Sequence, residues 1–305
     1  MSHVHDHTHH HHHATPARRR ESRLLIAFAL TAAMLVVEAV GGLISGSLAL
    51  LADAGHMLVD AGALMFAWLG AYYAQRPADA LRSFGYARLE VLVGYSNALM
   101  QFALVAWIAA EAAMRFAKPE PILSGTMLLV ALTGLAVNAI VLNALSHEHS
   151  DINMASARLH VLGDLLGSLG AVGAALLVRY LGWLWADPAV SILVSLLILG
   201  GAWRLLRRSA HILLEGTPEG MDADIIGDTI EREVAGVRDV HHVHIWQLAG
   251  DRHVATLHAR AREGFAPDQV ILSIQGVLRE RFSVEHATVQ LDTLVCDETG
   301  CRKSA

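Results

Sequence analysis

The chain has 305 residues, 54% of them hydrophobic and 17% charged, with a mean hydropathy of +0.41 and a formal net charge of −6. That is too apolar for an ordinary soluble protein and too periodic for a disordered one, so the composition points to a membrane protein. Its two cysteines, Cys296 and Cys301, stand close to the C-terminus; they cannot staple a core and read as a reduced cytoplasmic tail.

Residues 1–22 contain no apolar run and are not expected to be a cleaved secretory signal. His3, His5, His7, His9, His10, His11, His12 and His13 give this tail a metal-capturing composition, and Arg18, Arg19 and Arg20 follow as a cytoplasmic anchor. A purification tag would have a similar composition; alternation with Val4, Asp6 and Thr8 speaks against one.

A spanning helix needs ~20 mostly apolar residues. Six segments qualify, at roughly 24–45, 48–74, 90–116, 123–145, 154–179 and 185–206, the first two joined by the short turn SGSLA. Flanks on one side hold Arg18, Arg19, Arg20, Arg23, Arg76, Arg82, Arg88, Arg158, Arg204, Arg207 and Arg208, whereas the other side holds Arg115, Lys118 and Arg179. The excess of positive charge predicts that both termini are cytoplasmic. Arg88 and Glu90 are expected to pair at the membrane boundary.

Span two carries His56 and Asp60, and span five carries His160 and Asp164. A spacing of four puts each pair on one helical face about a turn apart. Brought together, the two pairs offer two imidazole nitrogens and two carboxylate oxygens, a set that tetrahedral Zn²⁺ accepts. An Asp at the centre of a span costs about 2.5–3.5 kcal/mol on insertion scales, which makes a duplicated arrangement hard to explain as structural. Asp53, two turns before Asp60 on nearly the same face, is either an access or supporting carboxylate or an interfacial polar residue. Glu38, Asn138 and Asp187 are further polar residues within the spans.

After about Thr217 the composition becomes that of a soluble domain. Helical spacing (Ile225, Ile226, Ile230, Val234), an alternating VHHVHIWQL strand, a second strand RHVATLHARA, an amphipathic helix PDQVILSIQGVLRERF and a third strand EHATVQLDTL give the order αββαβ. Two helices on one sheet face are expected, and strict alternation would put His242 and His244 on one side of the first strand and His241 on the other. The predicted fold is therefore a six-helix membrane domain with a small C-terminal α+β domain. Its predicted parts are a His-rich tail (1–22), a transmembrane domain (23–210), a cytoplasmic domain (211–295) and a Cys-containing tail (296–305).

SLALLADAGHMLVD, RPADALRSFGYARLEVL, WADPAVSILVS, LLEGTP and VHIWQL together resemble the cation diffusion facilitator family, and the resemblance runs over about residues 20–295. Within the family the chain looks like bacterial zinc-type exporters related to cobalt-zinc-cadmium resistance proteins and to animal vesicular zinc transporters. The resemblance implies a homodimer in the bacterial inner membrane, with a cytoplasmic metallochaperone-like, ferredoxin-like domain. It implies export of divalent metal, foremost Zn²⁺, by alternating access and in exchange for protons. The family's transport site falls on His56, Asp60, His160 and Asp164, with His in place of Asp at the first position going with zinc over cadmium.

Cytoplasmic ligands of the family map onto His241, His258 and Asp292, while Gln290 and Ile271 replace two further ligands, so a two-metal site is not expected. Zinc there would be a regulatory ligand, and Cys296, Cys301 and the N-terminal histidines are candidates to join it; ordinary surface histidines and a plain reduced tail are the alternative. His147 and His149, in the loop before span five, are candidates for metal capture. The loop after span two has Asp79 but no His, and no metal site is expected in it. Neither an organic cofactor nor a nucleic-acid partner is implied. Co²⁺, Cd²⁺, Ni²⁺ or Fe²⁺ as main substrate, and a membrane-tethered metal sensor without transport, are the competing readings. An intramembrane metalloenzyme is disfavoured, because four protein ligands leave no open coordination position.

Overall fold

A computed structural model describes residues 16–74, 78–146 and 152–293. The histidines of residues 3–13, His147, His149, Cys296 and Cys301 lie outside the described residues. Six long helices come first: α1 (Pro16–Ser45), α2 (Leu48–Ala74), α3 (Leu89–Ala117), α4 (Ser124–Ser146), α5 (Ile152–Leu181) and α6 (Ala186–Leu213). Each of α2 to α6 holds an apolar stretch long enough to cross a bilayer, and α1 contributes a shorter one, Ala29–Ser45. Large apolar side chains such as Leu58, Leu64, Leu193 and Leu196 are exposed on these helices, as expected where lipid replaces a protein core.

Packing divides the chain into two compact units, Met1–Ala61 with Ala103–Leu199 and Gly62–Phe102 with Gly200–Ala305, so that the division passes through α2, α3 and α6. In the first unit Met34, Leu50, Met57, Met127, Val130 and Ala171 form a buried cluster drawn from α1, α2, α4 and α5. Gly41 lets α1 and α4 approach closely, since a Cβ there would lie 2.6 Å from Val130 Cγ2.

The turn between α1 and α2 is fixed from α6. Asp187, fully buried, accepts from Ser47 Oγ at 2.6 Å and from the backbone N–H groups of Leu48 and Ala49 at 2.7 and 3.2 Å. It thus caps α2 from another helix, meeting donors that the start of a helix leaves unpaired. Arg115 balances its charge at 3.8 Å, pairs with Glu111 at 2.9 Å and donates to the Gly46 carbonyl.

The second unit contains the soluble elements α7 (Ala223–Glu233), β1 (Val237–Ala249), β2 (Arg252–Ala261), α8 (Pro267–Phe282) and β3 (Val284–Leu291). The αββαβ order matches the sequence expectation. β1 and β2 form an antiparallel hairpin, α8 crosses over to bring β3 parallel to β2, and the sheet order is β1-β2-β3. Ile226 and Ile230 of α7 and Val270, Ile274 and Leu278 of α8 share one core with Val240, Ile245, Ala255, Leu257 and Val284 of the sheet. In the same unit Ala87, Val91 and Ile212 cluster with Leu248, Ala249 and Val254. Arg88 pairs with Glu215 at 2.9 Å instead of with Glu90, because the αL residue Glu215 (φ 60°) at the end of α6 turns its carboxylate toward the start of α3.

Candidate metal centres

The first candidate lies in the helical unit. LALLADAGHMLVDAGAL has no Pro and only two Gly, so α2 runs unbroken through His56 and Asp60 and stacks them one turn apart. His56 Nε2 lies 3.6 Å from Asp60 Oδ2, with the two side chains 15% and 21% exposed. Asp164 on α5 is buried, as are Asp53 on α2 and Glu38 on α1. Glu38 hydrogen-bonds Asp53, and the Asp164 carboxylate is close enough to act on both electrostatically.

Gly134 makes room for this acid cluster, whereas Gly167 only borders it at ordinary contact distance. A Cβ on Gly134 of α4 would lie 2.6 Å from Glu38 Oε1, and one on Gly167 of α5 would lie 3.6 Å from Asp53 Oδ1. Asn138 Nδ2 donates to Ser168 Oγ at 3.1 Å nearby. The structure therefore pairs His56 with Asp60 on α2 and brings Asp164 of α5 close to Asp53, one turn before His56. His160 stands one turn before Asp164 on α5, and its side chain lies outside the described residues. Asp53 meets Glu38 of α1 here, which the sequence marks only as a lone acid in an apolar span. Nothing in the sequence marks Gly134.

The second candidate lies on the sheet. His241 Nε2 and His258 Nδ1 stand 3.0 and 3.1 Å from Asp292 Oδ2, and the three ligand atoms all lie within 4.8 Å of one another. Metal–nitrogen and metal–oxygen bonds of ~2.0–2.2 Å hold tetrahedral ligand atoms roughly 3.3 Å apart, so these residues fit a Zn²⁺-like ion. The supporting groups suit that task. Asp239, gripped by Arg260 at 2.6 and 3.0 Å, lies 3.2 Å from His241 Nδ1, which leaves Nε2 to face the centre. Gln290, where the resemblance implied a missing ligand, donates to Asp292 Oδ1 at 2.9 Å. That bond first, then those from His258 and His241, holds the Asp292 carboxyl below the usual carboxylate range.

Here the structure corrects the alternation reading. His241 pairs with His258 and His244 with Thr256, so β1 carries one extra residue, and His242 has φ 51°. This β-bulge puts the His242 ring beside the others, with centroids 5.1 Å from His258 and 5.6 Å from His241. A left-handed conformation costs a non-Gly residue about 1 kcal/mol, although His tolerates it better than most. The usable signal was the apolar spacing: Val240 and Ile245 are both buried, five residues apart, which strict alternation forbids.

Comparison with known proteins agrees with both halves of the molecule. Residues 24–214 match the cation efflux transmembrane domain, and residues 218–294 match the cation efflux protein, cytoplasmic domain. The chain is 44% identical to the zinc transporter ZitB of Pectobacterium atrosepticum over 303 residues, covering 99% of this chain and 92% of the relative. Against ZitB of Escherichia coli the identity is also 44%, covering 99% and 96%. The metal cation efflux system protein CzcD of Cupriavidus metallidurans is 37% identical, covering 97% of this chain and 91% of that protein. With its apolar helices, its small mixed sheet and these matches over nearly its full length, the chain belongs to the cation efflux family, a family of multi-pass membrane transporters and not of enzymes.

Proposed function

We propose that the protein exports Zn²⁺ from the bacterial cytoplasm across the inner membrane in exchange for protons, as a homodimer with both termini cytoplasmic. The relatives' names support zinc as the cargo, and the match of residues 218–294 to a cytoplasmic domain model supports the orientation and the pairing of protomers. In this reading residues 1–22 capture metal, 23–210 transport it, 211–295 form the cytoplasmic domain and 296–305 the cysteine tail. His147 and His149 would pass metal toward the transport helices.

His56, Asp60, His160 and Asp164 are assigned to hold the ion in transit. One observation carries the assignment: a half-buried His–Asp pair on α2 stands one turn from Asp53, whose carboxylate lies close to that of the buried Asp164 of α5, in helices otherwise built for lipid. Ionisable groups are placed there at several kcal/mol of insertion cost, so a transport role accounts for what packing does not. Neutral imidazoles bind metal and protonated ones do not, which gives exchange of metal for protons a chemical basis at His56 and His160. On the sheet, His241, His258 and Asp292 would bind a regulatory ion.

Purified protein in liposomes loaded with a zinc-sensitive dye tests the reading. Zn²⁺ uptake is expected to rise when a pH gradient runs against it, and His56→Asp is expected to admit Cd²⁺ at a rate nearer that of Zn²⁺. Flux indifferent to the gradient contradicts proton exchange. No flux of any divalent metal contradicts transport and favours a sensor.

A further inference from the structure

The sheet cluster supplies three metal ligands, and three protein ligands leave one position of a tetrahedral ion open. We propose that His242 fills that position, closing a His₃Asp site with His241, His258 and Asp292. The inference rests on the reading above that this cluster binds a regulatory metal ion, and it adds what kind of site it is.

Three observations point to His242. Its ring stands against the two liganding rings, at centroid distances of 5.6 Å from His241 and 5.1 Å from His258. It reaches that place only because β1 gains one residue between the His241–His258 and His244–Thr256 pairs; unbulged, the strand would turn it to the opposite face from His241. Its backbone is left-handed, with φ 51°, at a bulge position that glycine would occupy without strain. A residue kept in a strained conformation suggests that its side chain has a use there.

The neighbouring groups are arranged for the same end. Asp239 occupies the far side of the His241 ring, and Gln290 occupies the second oxygen of Asp292. Binding is expected to draw the His242 imidazole inward by side-chain rotation, the bulge staying as it is. A closed N₃O set has two consequences. It favours Zn²⁺ or Co²⁺ over Ca²⁺ and Mg²⁺, which prefer more oxygen ligands. It also makes the ion a resident one, since no coordination site remains for handing it on.

Titration of the full-length protein with Co²⁺, read by ligand-field absorption, tests the proposal. A His241→Ala/His258→Ala variant supplies the baseline, because it keeps the transmembrane site and the histidine tail. His242→Asn and His242→Asp are the probes: both residues tolerate the left-handed conformation, so the bulge survives, but only the carboxylate is a good ligand. Wild type minus baseline should show one ion with intense four-coordinate bands. In His242→Asn those bands should weaken and affinity should fall by about tenfold or more, the scale seen even for groups outside the coordination shell. His242→Asp should restore them, which a purely structural role for the ring would not do. Wild-type affinity and spectrum in His242→Asn would overturn the proposal while leaving metal binding at the cluster intact. Wild type indistinguishable from the baseline would mean that the cluster holds no ion, and both readings would fall.

Discussion

Asp79 shows one carboxylate organising a whole turn. In the loop after α2 its Oδ1 accepts the backbone N–H groups of Leu81 and Arg82, both at 2.8 Å, and its Oδ2 lies 3.5 Å from the Arg82 guanidinium. The Leu81 amide first, then the Arg82 amide and guanidinium, hold its carboxyl below the ordinary value of 3.8. A depressed folded-state value means that the stabilisation is complete above the unfolded value and is lost as pH falls through the folded one. Protection of the Leu81 and Arg82 amides, measured as exchange relative to the intrinsic rate at each pH, should therefore be constant near neutral pH and fall as pH drops below 3.8, with Asp79→Asn abolishing the step. Sequence made the His56–Asp60 pair legible at this same scale, because helix geometry is regular and a spacing of four has one meaning in it. His242 was not legible by alternation, because a strand's facing depends on its register against a partner, and one inserted residue reverses it.

Helices α2 to α6 were legible as elements for a simple reason: each holds a long apolar run, and a bilayer sets its minimum length; among the described residues α1 holds only the shorter run Ala29–Ser45. What holds them to one another was not legible. Asp187 begins α6 yet caps α2, a contact across about 140 residues that no local pattern signals. Removing it would leave two α2 amides and the Ser47 hydroxyl without their buried acceptor and would take one of the counter-charges from Arg115. Asp187→Ala should destabilise the detergent-solubilised protein by about 3 kcal/mol, the scale for breaking a buried charge pair, and a thermal unfolding series can measure it. Asp187→Asn, which keeps an acceptor oxygen, should lose less. Arg88–Glu215 is likewise non-local, but it is largely exposed, and charge reversal there should move stability by no more than about 1 kcal/mol. The C-terminal strands and helices followed from periodicity alone; the parallel placement of β3 against β2 follows from the α8 crossover between them.

Taken as a whole molecule, the chain carries two candidate metal centres. One is a buried acid and histidine core among lipid-facing helices, the other a histidine and aspartate cluster on a three-stranded sheet. The first is assigned to carry metal and the second to respond to it, so their loss should separate. His258→Ala is expected to leave maximal zinc flux largely intact while changing its dependence on zinc concentration, measurable as a shifted half-saturation in liposomes. Asp60→Asn and Asp164→Asn, in contrast, remove charge without removing volume and should abolish flux at every zinc concentration. The deciding measurement is zinc uptake into dye-loaded proteoliposomes by wild type and by these two variants, each shown to be folded by its thermal unfolding midpoint. Uptake by wild type and none by either variant is the predicted result. Normal uptake by folded Asp164→Asn would contradict the account, leaving the acids of α2 and α5 to be explained as structural.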